Sequence, residues 1–395
     1  MRRLRFRANR TACGFCGVAK IAHTMTTQRL SRLKQAQQLA DVDYVALVPG
    51  PNLVYFTGLN MHLSERPIVA LFPADDTPPV LIAPFFEVGK ATGGPVALDW
   101  QVYSYKDGTP YQDAFRQAAQ ARDLRGKTIA IEPLQMRMLE WTLLSEAAPG
   151  IRPASAADLI APLRMVKDAD EVNAMRRAVE LAEAALTQAL EEIREGMTER
   201  QVANLMLRHL LAAGAQEMLF EPLVQSGPNG ANPHGVSGDR PLRRGDMVVI
   251  DFGLKVDHYG SDITRTLAIG EPDAQMRDAY EVVKAANAAG RAAARPGATG
   301  ERVDRAARSV IEVAGYGAYF THRTGHGLGL EGHEPPYIVT GDTTALQPGM
   351  TFTVEPGIYI PGKGGIRIED DVLITEDGSQ SLTSFTRDLI RIPRP

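Results

Sequence analysis

An α/β (α+β) protein of two domains is what this sequence predicts, on three observations. Strand candidates alternate with helical stretches over roughly the first 160 residues. Two hairpin patterns in the last third each carry a pair of acids in matching glycine frames. A chain of 395 residues is also too long for one small core and fits two domains.

Residues 1–24 hold five arginines, one lysine and no acid, a composition shared by transit peptides and by non-native upstream extensions. They are set aside as a disordered leader, with Met25 as the candidate start. Over residues 28–40, Leu30, Leu33 and Leu39 fall near helical spacing and predict a helix. Strands are predicted over 44–48, 68–72, 80–83 and 128–131, and a helix over 136–147. The domain boundary falls near residue 160, dividing the chain into 25–160 and 161–395. A long helix is predicted over 168–194, which is rich in Ala, Glu, Leu and Arg and lacks Pro and Gly, and another over 199–213. Strands over 247–252 and 263–269 form a first hairpin turning at 257–260. Strands over 351–360 and 366–374 form a second, turning through 361–365. Two hairpins with the same acidic logic imply an internal duplication whose halves face each other.

Composition excludes several classes of function. Apolar residues make up 44%, charged residues 23% and the formal net charge is −4, so no polyanion-binding surface is expected and nucleic acid is not a partner. No apolar run approaches the roughly 18 to 20 residues of a membrane span, and no membrane association is expected. The two cysteines, Cys13 and Cys16, leave the rest of the chain without a thiol for catalysis or stapling, which fits a reducing, cytoplasmic compartment. Their Cys-x-x-Cys spacing reads as half a zinc site or a redox pair, but no second pair accompanies it.

The chemistry lies in five residues. Asp251, Asp262, His326, Glu355 and Glu369 supply enough oxygen ligands and one imidazole for two divalent metals, which points to metal-assisted hydrolysis. Gly245 and Gly253 bracket Asp251 as Gly349 and Gly357 bracket Glu355, a repeated Gly-x5-acid-x-Gly pattern, and each frame is followed by a second acid. Four buried carboxylates would repel one another unless about two divalent ions balanced them. Isolated hairpin acids are usually solvated, but Asp251 ends the apolar run 247–250 and Glu369 follows Ile366 and Ile368. Both should therefore sit near buried sheet surface, where a carboxylate needs a cation or hydrogen bonds. Arg367 shares a strand face with Glu369 and reads either as its supporting partner or as a structural ion pair.

Three of the eight histidines, His322, His326 and His333, fall within twelve residues among glycines, the composition of a loop built around chemistry. The formal Gly327-x-Gly329-x-x-Gly332 match to a dinucleotide fingerprint is rejected, because Pro335 and Pro336 follow and no βαβ unit surrounds it. His234 lies in a turn-rich loop before the first hairpin, which is either a plain connector or a support presenting an imidazole to substrate.

These motifs resemble the pita-bread metallopeptidases, the group that includes prolidase (Xaa-Pro dipeptidase), aminopeptidase P and methionine aminopeptidase. The resemblance runs from about Met25 to the C-terminus. It rests on the Asp-x10-Asp hairpin with Ser261-Asp-Ile-Thr-Arg-Thr, then Gly325-His-Gly-Leu-Gly-Leu, Val354-Glu-Pro-Gly and Gly365-Ile-Arg-Ile-Glu-Asp, in that order. It implies a creatinase-like N-terminal α/β domain followed by a pita-bread catalytic domain with pseudo-twofold duplicated halves. Asp251 would then chelate one metal, Asp262 and Glu369 would bridge both, and His326 and Glu355 would complete the other. Methionine aminopeptidases generally lack the N-terminal domain, and creatinase lacks the full metal set, so the likeness favours the proline-directed peptidases.

The function implied is that of a dinuclear-metal exopeptidase, using manganese, cobalt or zinc, that cuts the bond before proline in short peptides and forms a homodimer. Glu355 would accept the proton of the attacking water, and His333 would stabilise the oxyanion or shuttle a proton. His234 and His322 would line the substrate pocket near Arg367. His322 followed by Arg323 looks like prolidases, and Arg323 either clamps a dipeptide's terminal carboxylate or is structural. Aminopeptidase P activity on longer peptides, another hydrolase on the same fold and a metal-retaining binding module are the alternatives.

Overall fold

The structure, a computed structural model, describes residues 16–93 and 98–393, with side chains from residue 26 onward. The chain divides between Leu163 and Arg164 into two compact units. The first 15 residues, with Cys13 and most of the expected leader, lie outside the described residues, as does the Cys16 side chain.

In the first unit, helix α1 (Cys16–Leu39) is followed by β1 (Tyr44–Leu47), α2 (Pro51–Thr57), β2 (Val69–Pro73), β3 (Val80–Pro84) and α3 (Val88–Gly93). Then come β4 (Gln101–Tyr105), α4 (Gln112–Ala121), β5 (Thr128–Ile131), α5 (Met138–Ala147), β6 (Arg152–Ser155) and α6 (Ala157–Met165), which carries the chain across the boundary. The strands form one sheet of order β4-β3-β2-β1-β5-β6, in which β2 alone runs antiparallel to its neighbours. Strand β1 is buried throughout, as expected of a strand covered on both faces. Helix α1 begins at Cys16 rather than at residue 28, since no proline interrupts 16–27. Its expected apolar face is also corrected. Leu33 is buried but Leu39 is 91% exposed, and Gln37 takes the inward position, donating to the Phe72 carbonyl at 2.9 Å. Residues four apart share a helix face, whereas residues six apart do not.

The second unit opens with α7 (Ala169–Glu192) and α8 (Glu199–Ala213), each started by a capping box, Asp168 with Glu171 and Thr198 with Gln201. Strands β7 (Glu217–Ser226), β8 (Met247–Val256), β9 (Tyr259–Gly260) and β10 (Ile263–Ile269) follow. A second helix pair, α9 (Ala274–Ala293) and α10 (Gly300–Val313), precedes β11 (Gly325–Gly327), β12 (Glu334–Ile338), β13 (Thr351–Val354) and β14 (Gly357–Ile360). The chain ends with β15 (Gly364–Arg367), β16 (Asp370–Ile374), β17 (Ser379–Ser381) and β18 (Ile390–Ile392). The strand orders are β18-β10-β8-β7, with β9 on β8, then β12-β11-β13-β16-β17, and the separate pair β14-β15.

The duplication is written in the backbone. Gly196 N–H donates to the Leu242 carbonyl at 2.9 Å and Leu242 N–H to Met197 at 2.8 Å; Gly297 to Leu346 and Leu346 to Ala298 repeat those bonds at 2.9 and 2.8 Å. Thr198 bridges to Pro241 as Thr299 bridges to Ala345, and the two threonines cap α8 and α10. The first glycines of both acidic frames, Gly245 and Gly349, have left-handed φ of 93° and 89°, which explains why each frame opens on glycine. Two helices and an acid-bearing hairpin, built twice, give the pseudo-twofold pita-bread arrangement.

Both hairpins hold a single register, and in both the ladder lapses for two residues, at Ser261 and Asp262 in the first. The first turns through Asp257 and His258, both with positive φ (48° and 73°) as a two-residue type I′ turn requires. The second was expected to be continuous, yet its ladder lapses between the β13–β16 and β14–β15 segments. Glu355 and Glu369 occupy the gap. Pro356 has no N–H to give, the Glu355 N–H donates to the Thr324 carbonyl at 2.7 Å, and the Glu369 N–H donates to the Thr264 carbonyl at 3.1 Å. Buried Asn287 on α9 props the lapse, donating to the Val354 and Ile368 carbonyls at 2.9 and 3.2 Å.

Equivalence of the halves predicts that Thr198→Ala and Thr299→Ala each lower stability by about 1 kcal/mol, the usual worth of an N-cap. Equilibrium urea unfolding measures both, and a cost at only one position would contradict the equivalence.

Candidate metal centre

All ten residues singled out in the sequence line one cavity of about 880 Å³ in the second unit: His234, Asp251, Asp262, His322, Arg323, His326, His333, Glu355, Arg367 and Glu369. Each half contributes. β8 presents Asp251, the β9–β10 junction Asp262, β11 His326, and the lapse in the second hairpin Glu355 and Glu369.

Ligand atoms of Asp262, His326 and Glu369, all buried, lie within 4.8 Å of one another. His326 Nε2 is 3.8 Å from Asp262 Oδ2 and 3.2 Å from Glu355 Oε1, while its Nδ1 is 3.2 Å from the Gly327 carbonyl. With Nδ1–H on that carbonyl, Nε2 faces the carboxylates: while protonated it donates to Glu355, and it offers a lone pair once a cation displaces that proton. Thr264 Oγ1 donates to Glu369 Oε2 at 2.6 Å, fixing one oxygen of that acid. Asp251 Oδ2 accepts from Arg367, and its Oδ1 is buried without a hydrogen-bond partner among the described residues.

Electrostatics give this donor set a clear demand. Burial, then the charges of Glu369 and Asp251, drive the Asp262 carboxyl well above its ordinary pKa. Burial, then Glu355 and Asp251, do the same to Glu369. Asp251 is raised by burial despite Arg367. Glu355 differs: burial opposes its charge, but the hydrogen bond and charge of His326 bring it down to about 2. A protein that crowds these acids together would take up protons there, and a divalent cation removes that need by displacing them. An orphaned buried oxygen, clustered carboxylates and an oriented imidazole fit divalent metal.

A hydrogen-bonded chain stands behind these candidate ligands. His322 Nδ1 bonds to the Arg323 carbonyl at 2.6 Å and its Nε2 to Tyr359 Oη at 2.9 Å, and Tyr359 Oη accepts from Arg367 Nη1 at 2.9 Å. Arg367 also reaches Thr264 Oγ1 at 3.1 Å and pairs with Asp251. The hydrogen-bonded partner of Arg367 is thus Asp251 rather than Glu369, although both acids line the same cavity. Tyr359, whose phenol burial raises to about 12, was missed in the sequence, where nothing marks one tyrosine in an apolar strand as a polar link. Also missed were Leu219, Phe220 and Leu223, which line the cavity from β7 where two register shifts re-aim its side chains.

Three predicted residues face the cavity more freely. His333 packs edge-on against His326 with ring centroids 4.1 Å apart, and its pKa is lowered to about 4 by burial and by the neighbouring His326 and Arg323. Arg323 lies over the Tyr337 ring at 4.8 Å. His234 is exposed on its loop.

Residues 173–376 match Metallopeptidase family M24, and residues 29–166 match the Creatinase/Prolidase N-terminal domain. The chain belongs to metallopeptidase family M24. It is therefore a metal-dependent peptidase with a creatinase-type N-terminal domain. It is 38% identical over 368 residues to a probable dipeptidase of Mycobacterium bovis, covering 93% of this chain and 96% of that one. It is 46% identical over 233 residues to the Xaa-Pro dipeptidase of Pyrococcus furiosus, covering 59% and 67%. A crystal structure of prolidase from Thermococcus sibiricus superposes with a TM-score of 0.88 at 34% identity, covering 93% of this chain and 99% of that one. No helix among the described residues is long and apolar enough to cross a membrane.

The oriented imidazole predicts that His326→Ala loses divalent metal, measured by elemental analysis after dialysis. Full retention would remove His326 from the ligand set.

Proposed function

We propose that this M24 peptidase is a dinuclear Xaa-Pro dipeptidase. The observation that carries it is the single uncommitted cation of the cavity: Arg367 is saturated by Asp251, Thr264 and Tyr359, whereas no carboxylate pairs with Arg323 among the described residues. A guanidinium at the cavity wall, resting on the Tyr337 ring but without a carboxylate partner, suits the C-terminal carboxylate of a dipeptide. The relatives carrying Xaa-Pro dipeptidase and prolidase names support proline as the residue after the cut.

Four carboxylates against the one guanidinium of Arg367 leave about three negative charges, more than one divalent ion offsets, which supports a count of two. Asp251, Asp262, His326, Glu355 and Glu369 would hold them, and the oxygen-rich set with one imidazole suits manganese, cobalt or zinc. Bound there, such ions supply Lewis acidity and an ionisable water at neutral pH. Glu355, held ionised, accepts the proton of the attacking water and returns it to the leaving nitrogen, a secondary amine in an Xaa-Pro bond that departs poorly without protonation. His333, open to the cavity, donates to the developing oxyanion. His322, with both ring nitrogens engaged, shapes the pocket wall, and His234 borders it from its loop. A cytoplasmic homodimer completes the reading, supported by the scarcity of cysteine and by the family likeness.

Elemental analysis should give about two divalent ions per chain, and Asp262→Ala or Glu369→Ala should abolish both that occupancy and hydrolysis. Full activity in either variant would sink the assignment. For substrate length, Xaa-Pro dipeptides should be cleaved more efficiently than Xaa-Pro-Xaa tripeptides, with Arg323→Ala narrowing the gap, since a longer substrate leaves the guanidinium unpaired. A wild-type preference for tripeptides or longer peptides would make the enzyme an aminopeptidase P instead.

A further inference from the structure

Beneath the histidine loop lies a cluster of charges that the reaction does not use. Glu334 is 4% exposed, and its carboxylate accepts from Lys167 Nζ at 2.7 Å, from Arg164 Nη2 and from the Glu331 N–H at 3.4 Å. Arg164 also pairs with Glu331 at 2.7 Å, so two cations and two carboxylates balance. Lys167 is itself anchored, its N–H donating to the Gly349 carbonyl at 2.9 Å where the chain turns into β13. The loop closes tightly over this cluster. A Cβ at Gly329 would lie 2.6 Å from Glu334 Oε1 and 2.9 Å from Lys167 Cε, so only glycine lets the backbone come this close.

The residue immediately before Glu334 is His333. No hydrogen bond holds either ring nitrogen of His333 among the described residues; its ring packs edge-on against His326, and its backbone sets where it stands. That backbone belongs to the segment the cluster clamps. A group that must meet an oxyanion at hydrogen-bond distance tolerates little displacement, and one residue away a buried, doubly paired carboxylate removes the freedom to move.

We propose that Glu334, clamped by Lys167 and Arg164, is the positioning residue for His333: the buried ion cluster sets where the catalytic imidazole stands without touching substrate or metal. This rests on the reading that His333 acts on the substrate. A mere fold-stabilising role would affect the enzyme whether or not His333 were present, whereas a positioning role acts only through it.

A double-mutant cycle separates the two. Steady-state kinetics on an Xaa-Pro dipeptide and elemental analysis are run on the wild type, His333→Ala, Glu334→Gln and the double variant. His333→Ala should lower kcat by about 100-fold. Glu334→Gln should lower kcat by about tenfold, the scale seen for outer partners of site residues, with KM and metal content unchanged. In the His333→Ala background the same substitution should cost less than about twofold. If Glu334→Gln does not fold, the cycle is run with Glu331→Gln, which trims the more exposed partner of Arg164 and should give a smaller loss that again vanishes without His333. Equal losses in both backgrounds, no loss in either, or loss of metal would each overturn the proposal while leaving the role of His333 intact. An unimpaired His333→Ala enzyme would overturn that role and the proposal together.

Discussion

Acidic side chains held together away from water are the constraint on which the second unit is organised. Asp251, Asp262, Glu355 and Glu369 share one cavity, and the two most enclosed, Asp262 and Glu369, are 5% and 2% exposed. Isolated carboxylates in such surroundings cost several kcal/mol each unless a cation or hydrogen bonds answer them. The surrounding structure meets that demand unevenly. Arg367 answers one oxygen of Asp251, Thr264 one of Glu369 and His326 one of Glu355, while Asp251 Oδ1 has no hydrogen-bond partner among the described residues. The protein alone does not complete this balance, and the metal requirement of the family follows from what it leaves undone.

Holding that arrangement takes backbone placed with unusual economy. The lapse in the second hairpin spends two backbone N–H groups on neighbouring strands rather than on its own ladder, so Glu355 and Glu369 are fixed by main-chain bonds as well as by side chains. Asp262 is treated in the same way, its N–H donating to Asp371 Oδ2 at 3.1 Å. A little further along, Asp370 is caged by Arg265, Arg387 and Arg291, which ties the C-terminal segment to the strand behind the site. The candidate ligands therefore sit on a frame that engages many of its own polar groups, with Asp251 Oδ1 left unpartnered inside the cavity.

The grouping of the candidate residues in one cavity was legible in the sequence because they combine distinctive chemistry with glycine frames, and both halves repeat the frame. Strands β5 and β10 and helix α8 were read to the residue, since strong alternation or an unbroken helical run leaves few competitors. Helices α9 and α10 went unrecognised for a physical reason: their inward faces include Asn287, Gly290 and Asp304, which serve as hydrogen-bond anchors or close-approach points and so blur the apolar period. β7 was lost to its two register shifts, which break the alternation that identifies a strand. The partner of Arg367 and the role of Tyr359 depend on which strands meet across the two halves, and local pattern carries none of that.

Contacts across those halves also bear on the order in which the protein is made. Asp251 and Asp262 leave the ribosome about a hundred residues ahead of Arg367, Glu369 and Asp371, to which they are bonded or coupled in the finished structure. At a synthesis rate of 5 to 20 residues per second, the first hairpin waits roughly 5 to 20 s with its acids unanswered. During that interval it has the charge of the site without its shape. The cavity that would take a cation is accordingly complete only once the strands carrying Arg367, Glu369 and Asp371 have arrived.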